Sequence, residues 1–326
     1  MAIKTNTYTS YSTKGIREDL SDVISMISPT DTPFMTMIGK GQPVSNTLFE
    51  WQTDSLAAVD TANAQLEGED YDSAGLSSTA ATTRMQNYCQ ISAKTLVVSG
   101  TNESLKKAGR KSELAYNLAK RSKELKRDME SILIGTNQAA NAGNSTTARK
   151  TGTMLACIAT NDSIGATGAS PVYTTLPNAT RTDGTQRNFT EALLKSTMQL
   201  CYSAGGKPTT LMLGPINKQN ASAFAGVAAQ RFNAQGAKPS TIVGAADIYV
   251  SDFGNLAVVP NRFQRERDAW LVDPEYAELR MLRDFQTVDL AKTGDATKKL
   301  LVVEWGFQCT NEAAHGLVAD LNTTLI

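Results

Sequence analysis

The chain has 326 residues, with 32 Lys plus Arg against 32 Asp plus Glu and one histidine, so its net charge is zero. That length allows a sizeable core and one or two domains. Neutrality excludes bulk attraction to nucleic acid, so any basic surface must be local.

Residues 1–20 are polar, rich in Thr, Ser and Tyr, and read as an extended arm. They hold no apolar segment of the signal-peptide kind, and no run of about 18 apolar residues follows anywhere, so no membrane span is expected. Leu20, Val23, Ile24 and Ile27 form a short amphipathic stripe ended by Ser28-Pro29. After the turn Asp31-Thr32-Pro33, Phe34, Met35, Met37 and Ile38 form a second apolar patch ended by Gly39. Residues 46–58 alternate as a strand, and a strand pattern returns at Tyr88–Val98. The polar excursion between them carries an acidic knot at Glu67, Glu69, Asp70 and Asp72. The knot lacks the ligand ladder of a calcium loop and reads as a solvated tip.

The segment 99–135 predicts one long helix, with Leu105, Ala108, Ala115, Leu118, Leu125, Met129, Ile132 and Leu133 at helical spacing. Thr101 is a candidate cap, and Gly109 is a candidate bend. The rest of this segment is charged, and its basic residues exceed its acidic ones. Residues 136–189 read as loop, with TMLACIAT as the single apolar run and candidate strand. From Asn188 the texture is compact. Asn188-x-x-Glu191 resembles a capping box for a helix ending at Gly205-Gly206; then come the strand TTLMLG, a helix opened by Pro215, and strands in IVGAADIYVSD and NLAVVP. Gly205-Gly206-Lys207-Pro208 lacks the phosphate-loop frame and reads as a turn. The tail returns to sheet at Trp270–Val272, Ala277–Phe285 and Lys299–Thr310.

No chemistry-bearing motif emerges. Cys89, Cys157, Cys201 and Cys309 stand far apart without CxxC spacing, which predicts reduced, mostly buried thiols and no zinc site. His315 is a solvated or packed turn residue, and there is no nucleophile elbow, dinucleotide fingerprint or HExxH. The expectation is a non-enzyme with no catalytic residues, metal or cofactor.

The order of segments carries a resemblance, through EDLSDVISMISPTDTPF (18–34), NTLFEWQTDSL (46–56), LAKRSKELKRDME (118–130), DAWLVDPEYAELRMLRDF (268–285) and LLVVEWGFQCTNEAAHG (300–316). The chain resembles the major capsid proteins of tailed bacteriophages, an α+β class of Hong-Kong-97-type fold. The resemblance implies an N-terminal arm at 1–45 and an extended β-hairpin loop at 46–98. It implies a peripheral domain from 99–187, with the spine helix at 99–135, and from the C-terminal strands at 261–326. An axial domain would occupy 188–260. It implies a subunit that assembles with its own copies into pentamers and hexamers, in the host cytoplasm, to form a virion shell around double-stranded DNA. Separate scaffolding, portal and decoration proteins would be further partners, and no membrane. Lys106, Lys107, Arg110, Lys111, Lys120, Arg121 and Lys123 would be the genome-facing basic residues. The arm would become ordered on assembly. Some relatives cross-link through a loop lysine, but no lysine lies between Trp51 and Ala93 here. The alternatives are an encapsulin-like nanocompartment shell of the same fold and a DNA-binding module built on the basic helix.

Overall fold

The structure, a computed structural model, describes residues 30–64, 66–68, 81–224 and 247–325. The Leu20–Ile27 stripe and three residues of the acidic knot, Glu69, Asp70 and Asp72, lie outside the described residues.

Strands β1 (Leu48–Thr53) and β2 (Thr83–Tyr88) pair antiparallel as a hairpin base. Strand β3 (Gln90–Ser99) follows at once and joins β9 (Ala277–Asp289) and β10 (Ala296–Cys309) in a three-stranded antiparallel sheet of order β3-β10-β9. Leu301, Val303, Trp305 and Phe307 of β10 are buried in one cluster with Leu125, Met129 and Leu133. Those three sit on α3 (Glu113–Gly135), and only its C-terminal half is embedded.

The expected single helix over 99–135 is two. The short α2 (Gly100–Ser104) is separated from α3 by residues 105–112. Gly109 adopts φ +74°, a left-handed conformation that ends helical propagation. Glu103 then turns back to serve the second helix. Its carboxylate accepts from Glu113 N at 3.1 Å, from Leu114 N at 3.2 Å and from Ser112 Oγ at 2.6 Å, which holds its pKa below the ordinary carboxylate value. Ser112 Oγ accepts from Ala115 N and is the actual N-cap, in place of Thr101.

The second unit is a six-stranded sheet, β4-β11-β8-β5-β7-β6. Its strands are β4 (Asp162–Ser163), β5 (Thr210–Leu213), β6 (Ile248–Ser251), β7 (Gly254–Pro260), β8 (Ala269–Val272) and β11 (Gly316–Val318). Both faces of β5 and β8 are covered. Leu211, Leu213 and Leu271 pack with Leu194 and Met198 of α5 (Glu191–Ser203), while Met212, Trp270 and Val272 join the cluster beneath α3. Such strands read as continuous apolar runs without alternation. Helix α6 (Pro215–Ser222) opens on Pro215 as expected.

Three further differences are physical. TMLACIAT forms not a strand but a buried turn of helix, α4 (Met154–Cys157). Helix α5 is capped by Thr190, whose Oγ1 accepts from Leu193 N at 3.4 Å, not by Asn188. The 261–326 segment divides: β9 and β10 lie in the sheet beside α3, whereas β8 and β11 complete the sheet of the 188–260 unit. Among the described residues no helix is long and apolar enough to cross a membrane.

Candidate functional site

The hairpin root is seated by the absence of a side chain. A Cβ on Gly306 of β10 would lie 2.4 Å from the Phe49 ring, so only glycine lets β1 approach this closely. Asn87 of β2 fixes the other side. Its Nδ2 donates to Phe307 O at 2.6 Å and Gly152 O at 3.1 Å, and its Oδ1 accepts from Gly152 N at 2.8 Å. Beyond this root, Leu56, Val59 and Leu66 are 98, 90 and 77% exposed. Aliphatic side chains this exposed are available to a neighbour.

The seven basic residues separate into two groups. Lys106, Lys107, Arg110 and Lys111 occupy the non-helical 105–112 connection, and Lys120, Arg121 and Lys123 lie on α3. Arg110 pairs with Glu113 at 2.5 Å and stacks over Tyr116; Arg121 pairs with Glu124 at 2.6 Å; Lys107 donates to Asn102 O. Lys106, Lys111, Lys120 and Lys123 are exposed and make no ion pair among the described residues. Lys94, at the foot of the hairpin, pairs with Asp128 of α3 at 2.5 Å.

Two buried carboxylates that the sequence reading missed tie distant segments together. Glu130, on α3, accepts from Phe34 N and Met35 N, both at 2.8 Å, and from Asn261 Nδ2 at 2.5 Å. It therefore holds the start of α1 (Pro33–Ile38) and the end of β7 against α3. Burial raises its pKa above the ordinary value, against the pull of its three donors. The chain then runs along β9, with Gly41 N donating to Leu279 O and Val44 N to Met281 O. Asp320 has φ +59°. It accepts from Gly184 N at 2.8 Å, Gly165 N at 3.0 Å and Arg267 Nη2 at 2.8 Å. A charged cluster surrounds it: Arg265 bonds Asp183 at 2.7 Å, and Arg181 meets Asp162 at 2.7 Å.

Asp268 lies in this cluster, and burial pushes its pKa up to about 6, with Arg265 and Arg181 pulling it back. A raised carboxyl pKa favours the fold most below the unfolded value, and that advantage is lost as pH rises through about 6. Relative to Asp268→Asn, the native chain should thus gain roughly 1 kcal/mol between pH 7 and pH 5. Melting curves of both proteins at the two pH values check this; a constant difference contradicts it.

All four cysteines are free and buried. Burial pushes the Cys89 and Cys201 thiols up to about 12, so neither is poised as a nucleophile. His315 is packed: its Nδ1 accepts from Asp273 N at 3.3 Å, which leaves the proton on Nε2, facing Tyr276 O.

A projecting hairpin, a long helix laid on a three-stranded sheet and a second unit sharing its core define the class of Hong-Kong-97-type shell proteins. Solved shells agree. The capsid subunit of cyanophage A-1(L) superposes with a TM-score of 0.62 at 10% identity, covering 96% of this chain and 98% of that one. The encapsulin of the holo-SrpI complex from Synechococcus elongatus gives 0.56 at 9% identity, covering 95% of each chain. The chain belongs to the SU10 major capsid protein family, whose model matches residues 3–322. The major capsid protein of Escherichia phage Phieco32 is 29% identical to it over 351 aligned positions, covering 95% of this chain and 96% of that protein. It is a structural protein of the phage capsid, and its place is the virion shell.

Proposed function

We propose that copies of this chain assemble in the host cytoplasm into pentamers and hexamers that close an icosahedral shell around double-stranded DNA, with no catalysis of its own. The observation that carries the oligomeric reading is the nearly complete exposure of Leu56 and Val59 beyond a closely packed hairpin root. In this reading residues 1–45 are the arm and 46–98 the loop that reaches a neighbour. The peripheral domain is built around α3 and the sheet of β3, β9 and β10, and the 188–260 unit is the axial domain. An encapsulin shares this fold at 9% identity, so the test must tell a DNA-carrying shell from one built around a protein cargo. Electron microscopy of purified assemblies separates them: shells that carry DNA support the first, and DNA-free shells around a protein cargo support the second. Monodisperse small particles contradict both.

The basic residues are proposed to face the genome without reading sequence, since positively charged side chains contact phosphates and no base-reading motif is present. Reversing charge at Lys106, Lys107, Arg110 and Lys111 should lower retained DNA while shells still form. Unchanged retention would assign these residues to a solvated face.

The loop offers no lysine for cross-linking, and Lys94 is held by Asp128. Arg84 is paired with Glu50, and its guanidinium is no nucleophile. Boiled particles should therefore run on a denaturing gel as monomer of 35.0 kDa. A reduction-resistant ladder of multimers would sink this expectation.

A further inference from the structure

We propose that Cys157 and Cys309 are a redox staple, open as two thiols in a reducing cytoplasm and closed as a disulfide once the chain meets an oxidising medium. The timing rests on the assembly reading above; the pairing rests on the subunit alone.

The pairing is selective. Cys89 Sγ faces Asn46 O at 3.9 Å, and Cys201 Sγ donates to His315 O at 3.4 Å, so these two thiols turn to backbone oxygens. Cys157 and Cys309 turn to each other. The Cys309 thiol faces that of Cys157, and both side chains lie in one core cluster, each 1% exposed. The backbone brings them there from distant parts of the sequence. Helix α4 ends on Cys157 and packs against β10, which ends on Cys309. Just beyond, the same two segments stay side by side. Ala159 N donates to Glu312 Oε2 at 2.7 Å, Asn161 Nδ2 to Ala313 O at 2.7 Å and Leu317 N to Asn161 O at 3.0 Å. A disulfide needs this arrangement, facing side chains on neighbouring backbone.

The oxidant is a low-molecular-weight disulfide. One cysteine, having lost its proton, attacks a sulfur of that disulfide and expels one thiol. The second cysteine attacks the mixed disulfide and expels the other. Two protein thiols are oxidised to one disulfide, the small disulfide is reduced to two thiols, and the two protons end on the expelled thiols. Cys309 is among the residues that wall the cleft of about 670 Å³ at the hairpin root, and Cys157 is not, so Cys309 is the first to react. Closure is slow. The facing Cys157 and burial hold the Cys309 thiol well above its ordinary pKa, with His315 pulling it back.

The staple fastens the seat of the hairpin. The segment that ends on Cys157 carries Thr151, whose Oγ1 accepts from Phe307 N at 3.1 Å, and Gly152, which bonds Asn87 of β2 through both its N and its O. A covalent link from Cys157 to Cys309 ties this segment to β10.

Oxidised glutathione, applied to unassembled chain and to assembled particles, tests this. Running both keeps the result separate from the shell reading. After the remaining thiols are alkylated in denaturant, peptide mapping should find Cys157 joined to Cys309 within one chain, with Cys89 and Cys201 alkylated. The melting temperature of the unassembled chain should rise by about 5 °C or more, and a dithiol reductant should reverse the rise. The double substitution Cys89→Ala, Cys201→Ala should keep both effects, and Cys309→Ala should lose them. The proposal is overturned if Cys157 and Cys309 of the native chain stay alkylatable, carry only glutathione, or link to other cysteines.

Discussion

Asp320→Ala is expected to lower the stability of the subunit by roughly 3–5 kcal/mol, a fall in melting temperature of roughly 5–10 °C, with loss of soluble yield. The substitution strands two backbone donors and takes one of two acceptors from a third, since Arg267 Nη2 also bonds Gly184 O at 2.6 Å. Gly184 N, Gly165 N and Arg267 Nη2 all end on this carboxylate. The two backbone donors cannot find new partners by shifting inward, because the backbone is already in contact: a Cβ on Gly165 would lie 2.2 Å from Thr185 O and one on Gly184 2.7 Å from Ala166 O. The φ of +59° adds a second term, since alanine tolerates the left-handed region poorly whereas asparagine enters it readily. Asp320→Asn should therefore fall between the native protein and Asp320→Ala. Equal melting temperatures for native protein and Asp320→Ala would contradict this account.

Glu130→Ala should act locally before it acts globally. It leaves Phe34 N, Met35 N and Asn261 Nδ2 without their acceptor, each worth roughly 1–3 kcal/mol if buried unsatisfied. The segment bearing α1 has an escape that Asp320's partners lack: it can swing away from α3 and hydrate. Hydrogen exchange at Phe34 and Met35 should therefore quicken at least tenfold, while β10 amides keep their protection. Glu130→Gln retains an acceptor but exchanges one for a donor, so it should give a smaller acceleration. The pH sign follows from the raised pKa. Glu130's contribution is fully present below the ordinary carboxyl value and declines as pH rises through its folded value. Native exchange at Phe34 should thus respond to pH beyond the intrinsic rate, and Glu130→Gln should remove that excess. Matching slopes in the two proteins would overturn this reading.

Much of the architecture was legible in the sequence because it depends on local pattern. The alternation of 299–310 gave β10, Pro215 opened α6, and the order of segments pointed to the shell fold. Errors came where a local signal met a distant partner. Helical spacing carried across 105–112 because periodicity does not register that Glu103 folds back onto Glu113 and Leu114. Asn188 had the capping-box spacing, but Thr190 occupies the extended backbone position that a cap needs. TMLACIAT is too short and too uniformly apolar for its period to tell helix from strand. Glu130 was counted only as one acid among the charges of the helix. Its partners lie 95, 96 and 131 residues away, and no window of sequence holds them together. The basic residues were visible as a cluster, but the ion pairs that occupy Arg110 and Arg121 were not.

The charged cluster around Asp320 has a consequence for how the subunit meets changing ionic strength. Four arginines, 181, 187, 265 and 267, stand there against four aspartates, 162, 183, 268 and 320. Mobile ions screen exposed charges over about 8 Å at physiological concentration, but they reach interior pairs far less. Exposed pairs such as Lys40–Asp284 weaken as counterions accumulate. The Asp320 group, neutral in sum and mostly enclosed, keeps its attraction. Raising the salt concentration should therefore loosen surface pairs while the knot joining the 160–187 loop to the C-terminal residues stays closed.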